Sequence, residues 1–250
     1  MNLDEKRIHE YIQLYGHILK GLNLSVSETD KSNLYTLIVL LAKLDDVYDT
    51  NLQTSRQQTL QEVKGKMLGL IPKNTLKEKV VDSLFAAMAD EASGQHHDSL
   101  QDYLEASNVT TGVHLIACYL GSVFKISPDI WFSRIVNSFG REVGTIIRLA
   151  NDYLDINASQ NRHLAEAPQE NAILFFQNKA TLKCFIAYKY GLHKLRYHAY
   201  ETVLRWLKFL YNYPSYLKAI TCYESVLELG FKAYFVDEND CRQVATEYPL

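Results

Sequence analysis

Apolar residues recur at three- and four-residue spacing along almost the whole chain, and the strict alternation typical of strands is missing. This pattern predicts an all-α protein. Prolines fall between the helical stretches, where a missing N–H costs least, or in the C-terminal tail. The eighth predicted helix is expected to break near Gly191. The predicted helices cover residues 4–22, 31–50, 55–70, 75–93, 97–107, 110–125, 129–159, 169–211 and 214–230.

The length of the chain predicts one domain covering residues 1–250, because a single hydrophobic core still grows at this size. Apolar residues make up 47% of the chain and charged residues 22%, which is typical of a globular protein. No internal repeat or low-complexity linker divides the sequence. One helical domain with a sizeable core is therefore expected.

Charge and cysteine usage exclude several classes of protein. The net charge is -3, with 26 basic and 29 acidic residues interleaved, so no basic face for nucleic acid is expected. No apolar run approaches the roughly 18 residues of a membrane span. The four cysteines, Cys118, Cys184, Cys222 and Cys241, form no metal-binding spacing and are expected to be reduced thiols of a cytoplasmic protein.

A first group of candidate ligands ends the segment LYTLIVLLAKLDDVYDT. Residues four apart share a helix face, so Leu34, Ile38, Leu41, Asp45 and Asp49 form one stripe. A solvated acidic helix end is one interpretation. The other is a metal site. The apolar column offers room for the hydrocarbon chain of a ligand, directly beneath an anionic group that a metal ion would bind.

A second group lies in FGREVGTIIRLANDYLDINASQNR. Asn151, Asp155 and Ser159 fall at i, i+4 and i+8 on one helix face, and Mg²⁺ prefers oxygen ligands of this kind. Arg148 and Arg162 flank them, and guanidinium groups bind phosphate oxygens in pairs.

Ile147 and Gly144 continue this second stripe towards the N-terminus. A glycine here would leave room for a ligand or would let two helices pack closely, and the sequence leaves both interpretations open.

DDVYD resembles the aspartate-rich motif of class I terpene synthases, and RLANDYLDINASQNR resembles their second metal motif. DYLEASNVTTGVHLIACYLG is similar to the family segment that leads into a kinked helix lining the pocket, with Thr110, Thr111 and Gly112 at the break. The likeness extends over most of residues 35–180. It implies a helical bundle of the isoprenoid synthase type with a central active-site cavity, which would ionise a C15 or C20 prenyl diphosphate and release a terpene hydrocarbon or alcohol plus diphosphate.

The resemblance also implies a cofactor, an assembly and roles for individual residues. Three Mg²⁺ ions are expected once the prenyl diphosphate is bound, and a homodimer is the possible assembly. Asp45, Asp49, Asn151 and Asp155 are the expected catalytic residues. The expected metal ligands are Asp45, Asp46, Asp49, Asn151, Asp155 and Ser159. Arg148 and Arg162 are expected to bind diphosphate. The expected pocket residues are Leu34, Ile38, Leu41, Thr111, Gly112, Gly144 and Ile147.

Two departures from the family pattern concern the second motif. Asp155 stands where the family has Ser or Thr, and Ser159 stands where it has Glu, so one negative charge is kept but moves by one turn. The Arg-Tyr pair that many members carry near the C-terminus is also missing.

Two alternatives remain. The same residues resemble trans-prenyl diphosphate synthases, since NDYLD is similar to their second aspartate motif and SGQHHD to a Gly-Gln-x-x-Asp element. Chain elongation needs a second cationic site for isopentenyl diphosphate, and the three basic motifs that provide it in that family are missing. Ionisation is therefore favoured over elongation. The third interpretation is a non-catalytic partner subunit of a prenyl synthase.

Overall fold

The computed structural model describes residues 26–49, 53–93, 97–128, 131, 137, 140–159, 172–176, 178–206 and 213–234. These residues contain no strand, which confirms the all-α prediction. A short 3-10 helix, Ala172–Phe175, lies before α7. The α-helices are α1 (Glu28–Asp49), α2 (Gln53–Leu70), α3 (Lys77–Glu91), α4 (Leu100–Thr110), α5 (Val113–Val123), α6 (Arg141–Ser159), α7 (Lys179–Trp206) and α8 (Tyr213–Tyr234).

Most predicted helices are confirmed to within about a turn at each end. The predicted start at residue 169 is wrong, because a separate 3-10 helix, Ala172–Phe175, precedes α7, which begins at Lys179. The break near Gly191 is wrong, because α7 runs unbroken through that residue. An internal glycine costs only about 1 kcal/mol relative to alanine, and α7 buries Leu182 and Ile186 before Gly191 and Tyr197 after it. The predicted helix at 4–22 lies outside the described residues. In the part that is described, no helix combines the length and apolar character needed to cross a membrane.

Two helices begin with the same Ser-x-x-Asp signal. Oγ of Ser27 accepts a hydrogen bond from N of Asp30 at the start of α1 (3.1 Å). Oγ of Ser99 does the same for N of Asp102 at the start of α4 (3.1 Å). Each serine satisfies one of the backbone N–H groups that a helix start leaves without a partner, and each aspartate is favoured by the positive end of the helix dipole.

The buried side chains form two clusters that share α6. The larger one is built on α1, α2, α3, α5 and α8 and includes Leu34, Met67 and Ile147. The smaller one joins α4, α6 and α7 and includes Leu149 and Leu182. Because Ile147 and Leu149 both come from α6, this helix lies between the two clusters.

Thr111 and Gly112 interrupt the chain between α4 and α5, where the sequence predicts a break. Gly112 adopts a left-handed conformation with φ 73°, which favours glycine. The hydroxyl of Thr111 donates to the carbonyl of Asn108 (2.8 Å) and satisfies one of the last carbonyls of α4. A Cβ added at Gly112 would stand 2.4 Å from Cδ1 of Leu41, so α1 passes very close to this turn.

Contacts at two points along each helix show how α1 runs relative to α5 and how α6 runs relative to α4. Tyr119 of α5 donates to the carbonyl of Asp30 (3.0 Å), while Gly112 lies beside Leu41, so α1 and α5 are antiparallel.

Tyr103 of α4 contacts Asp152 of α6 (2.5 Å), while the end of α4 lies beside Gly144, so α4 and α6 are antiparallel. Both helices that carry expected ligands therefore pass the turn between α4 and α5. In each helix, the expected metal ligands lie on the C-terminal side of the residue that touches the turn.

Candidate functional site

The stripe predicted on α1 changes from buried to exposed along its length. Leu34 and Ile38 are buried, Leu41 is half-buried, and Asp45 is exposed. Asp46 is partly exposed, and Asp49 is the last residue of α1, with its side chain outside the described part. An apolar column thus ends at carboxylates that solvent can reach.

The C-terminal end of α1 is held against α3 by Tyr48, which lies within the DDVYD motif. Its hydroxyl donates to the carbonyl of Phe85 (3.2 Å), and the guanidinium of Arg56 lies 4.9 Å from the centre of its ring. Burial raises the pKa of Tyr48, and Arg56 partly offsets that change. The tyrosine therefore stays a neutral donor that fixes the end of the acidic helix.

The stripe predicted on α6 keeps its helical spacing through Ser159, because the backbone is helical to that residue. Ile147 is buried and Asn151 is partly exposed. The side chains of Asp155 and Ser159 lie outside the described part, as does the whole of Arg162. The helical backbone places the three expected oxygen ligands on one face. That they bind metal stays a prediction.

Gly144 lies where α6 meets α4. A Cβ added there would stand 2.0 Å from Oδ1 of Asn108 and 3.1 Å from Oγ1 of Thr111. Asn108 is 5% exposed, and its Oδ1 has no hydrogen-bond donor in the described part of the chain. Of the two interpretations that the sequence left open for Gly144, this geometry favours close helix packing.

Four expected pocket residues come together at the turn. Gly112 contacts Leu41 on one side, and Thr111 lies beside Gly144 on the other. The turn thus stands between α1 and α6.

Arg148 lies in a buried network whose other members the sequence analysis missed. Its Nε donates to Oη of Tyr103 (2.7 Å) and lies 3.1 Å from Oδ1 of Asp152. Its Nη1 pairs with Oε1 of Glu91. Oη of Tyr103 donates to Oδ2 of Asp152 (2.5 Å), and N of Ala172 donates to the same oxygen (3.0 Å). The guanidinium expected to bind diphosphate is engaged by two carboxylates and a phenol.

Burial is the largest single influence on the pKa of Asp152, Tyr103 and Arg148. It raises the pKa of Asp152, and Arg148 partly offsets that effect. It also raises the pKa of Tyr103, which stays a neutral donor. Burial opposes the charge on Arg148, but Asp152, Tyr103 and Glu91 hold its pKa well above the usual value. The arginine is therefore the fixed positive charge around which the other groups are arranged.

One helix anchors both motifs. Tyr48, in the first motif, binds Phe85 of α3, and Arg148, at the start of the second, binds Glu91 of the same helix. Phe85 and Glu91 are six residues apart, which is about 9 Å along a helix at 1.5 Å per residue. The C-terminal end of α1 and the middle of α6 are therefore attached to α3 at points less than two turns apart.

No group of three or more His, Cys, Asp or Glu residues suited to a metal occurs among the described side chains, which do not include Asp49 or Asp155. A groove between α4, α6 and α7 is lined by Asn108, Glu142 and Arg196 among others. None of the expected pocket residues lines this groove, so it is separate from the predicted site.

Comparisons with family models, with curated proteins and with solved structures return no match.

Proposed function

We propose that this chain is a Mg²⁺-dependent class I terpene synthase that ionises a C15 or C20 prenyl diphosphate. Its products would be a terpene hydrocarbon or alcohol and diphosphate. The proposal includes the family's helical bundle with a central cavity between α1 and α6, a cytoplasmic location and a homodimer as the assembly to test.

The observation that carries the proposal is the shared anchoring of both motifs on α3. A prenyl diphosphate has one anionic head, so the two ligand stripes must meet at one end of the helix bundle. Tyr48 and Arg148 reach α3 at positions about 9 Å apart along its axis. Two stripes attached so close together can hold the two sides of a single diphosphate.

The chemistry of the exposed donors fits Mg²⁺. Asp45 is exposed, Asp46 and Asn151 are partly exposed, and all three carry the hard oxygen donors that Mg²⁺ prefers. We propose that Asp45, Asp46 and Asp49 hold metal on the α1 side and that Asn151, Asp155 and Ser159 hold it on the α6 side. Bound Mg²⁺ would supply positive charge that stabilises the departing diphosphate.

The apolar column below Asp45 supports the role of prenyl binding. Leu41 is half-buried and is the part of the column that a hydrocarbon chain would reach, while Leu34 and Ile38 are buried in the core behind it. Exclusion of water protects a carbocation from premature capture. Thr111 and Ile147 would lie beside this column, whereas Gly112 and Gly144 are occupied by their packing contacts with Leu41 and Asn108. Arg162 would bind the diphosphate, and Arg148 would add positive charge while it stays paired with Asp152 and Glu91.

Turnover of defined substrates tests the proposal. The purified full chain is incubated with Mg²⁺ and geranyl, farnesyl or geranylgeranyl diphosphate, each with and without isopentenyl diphosphate. We expect a hydrocarbon or alcohol, detected by gas chromatography, together with released diphosphate, from a single substrate. A longer prenyl diphosphate formed only with isopentenyl diphosphate would instead identify an elongating enzyme. Absence of turnover in every arm would contradict catalysis and favour a partner subunit.

A further inference from the structure

Asp152 is the most extensively bonded buried carboxylate beside the proposed site. Its side chain is 1% exposed and receives Oη of Tyr103 at 2.5 Å, N of Ala172 at 3.0 Å and Nε of Arg148 at 3.1 Å. These partners come from α4, from the 3-10 helix before α7 and from α6 itself. Arg148 extends the network to Glu91 of α3.

Such a carboxylate fixes the rotation of its own helix. A buried charge is costly unless its partners are kept, so Asp152 resists any rotation of α6 that separates it from the donors on α4 and on the 3-10 helix. Successive residues of an α-helix are about 100° apart around its axis. Asn151 therefore leaves α6 in a direction that is set by the partners of Asp152.

We propose that Asp152 is a positioning residue for the proposed reaction, which holds α6 in the rotational setting that presents Asn151 to Mg²⁺. The inference rests on the proposed function. It also gives Arg148 a second role, because the pairs with Asp152 and Glu91 tie this setting of α6 to α3. Tyr48 ties α1 to the same helix, so the two ligand stripes keep a constant separation.

Loss of a supporting residue of this kind costs about 10- to 100-fold in metal affinity or activity in other metal sites. We therefore expect Asp152→Asn to raise the Mg²⁺ concentration for half-maximal turnover about tenfold and to lower kcat at least as much. The KM for the prenyl diphosphate should change much less. A purely structural role would lower the folded fraction and leave the Mg²⁺ dependence of the folded protein unchanged.

Two measurements on the full chain test the inference. The first is turnover of prenyl diphosphate as a function of Mg²⁺. The second is the binding of Mn²⁺, as a paramagnetic probe, in the presence of inorganic diphosphate, followed by electron paramagnetic resonance. Asp152→Asn is compared with Tyr103→Phe, which removes one donor and keeps the ring, and with Asp90→Asn, an exposed control on α3. Circular dichroism confirms folding of each variant.

We expect about tenfold weaker Mn²⁺ binding in Asp152→Asn, a smaller loss in Tyr103→Phe and none in Asp90→Asn. If Asp152→Asn does not fold, Tyr103→Phe decides. Unchanged Mn²⁺ binding and Mg²⁺ dependence in the folded variants would overturn the inference and leave the proposed function intact. Wild-type protein that binds Mn²⁺ with diphosphate but turns over no substrate would overturn the proposed reaction, and the Mn²⁺ affinity of Asp152→Asn would then decide whether Asp152 positions Asn151 for metal. Wild-type protein that does neither would overturn both.

Discussion

Gly144 and Asn108 meet where α6 packs on α4, so closely that a Cβ at Gly144 would stand 2.0 Å from Oδ1 of Asn108. Because both residues are buried, neither side of the contact can move away freely. Replacement of Gly144 by alanine therefore tests how tightly α4 and α6 are packed.

We expect Gly144→Ala to lower the free energy of unfolding by about 1–3 kcal/mol, the usual cost of overpacking. Gly65→Ala in α2 is the matched control, since nothing lies within 4 Å of its added Cβ. That control should gain about 0.5–1 kcal/mol from helix propensity. Urea unfolding followed by circular dichroism measures both.

The double variant Gly144→Ala/Asn108→Ala removes the atom that the new methyl group meets. The cost of Gly144→Ala should be smaller in this background than in the wild type. An equal cost in both backgrounds would mean that Asn108 does not limit the approach of the two helices.

Asp45 supplies the second prediction, which concerns catalysis. Replacement by Asn keeps its size and removes its charge, so under the proposed function kcat should fall about 10²- to 10³-fold, as when one group that stabilises a transition state is lost. Turnover of prenyl diphosphate at saturating Mg²⁺ is the measurement.

Glu78→Gln is the control for Asp45→Asn, because Glu78 is an exposed carboxylate in the first turn of α3. It should keep wild-type kcat. Equal rates for Asp45→Asn and wild type would remove Asp45 from the proposed metal site.

Glu224 gives a third prediction, for stability. It is buried in α8, with Nε2 of His193 at 2.8 Å and Nζ of Lys194 at 3.1 Å, both from α7. Removing one member of a buried charged group leaves the others without compensation, so Glu224→Ala should cost about 3–5 kcal/mol.

Glu228→Ala is the comparison, because Glu228 binds the same lysine (3.0 Å) with its side chain 30% exposed. An ion pair that solvent reaches contributes about 0–1 kcal/mol. Thermal and urea unfolding distinguish the two variants. Similar costs for both would contradict the larger contribution expected of the buried carboxylate.

The cysteines give a fourth prediction. Burial raises the pKa of Cys118 and of Cys222 to about 12, whereas Cys184 is exposed. Because the thiolate is the reactive form, a raised pKa lowers reactivity at any given pH below it. Among these three cysteines, iodoacetamide at pH 8 should alkylate Cys184 first, and Cys118 and Cys222 only after denaturation.

Mass spectrometry of tryptic peptides reads out the sites of alkylation, with Cys184→Ser as the matched variant. Rapid modification of Cys118 or Cys222 in the native protein would mean that the core around α5 and α8 opens readily.

The positions of most helices could be predicted from the sequence. Spacing of apolar residues predicts where helices run, and Ser27 and Ser99 mark two of the starts. The unbroken course of α7 through Gly191 was not predictable, because it depends on tertiary packing along that helix rather than on local propensity.

Arg148 and Asp152 are four residues apart, so their ion pair could have been predicted from helical spacing. Their partners could not. Tyr103 and Glu91 precede Arg148 by 45 and 57 residues, and only the packing of α3 and α4 against α6 brings them together. The contact between Gly144 and Asn108 likewise depends on the packing of α4 against α6 and could not be predicted from spacing.

The position of α6 between the two hydrophobic clusters bears on how the protein unfolds. Ile147 belongs to one cluster and Leu149 to the other, and both are buried. Neither cluster can lose its packing without exposing buried side chains of α6, so the two clusters should unfold in one cooperative transition. Amide protons in the middle of α6 should then exchange with solvent only through global opening, at the slowest rates in the molecule.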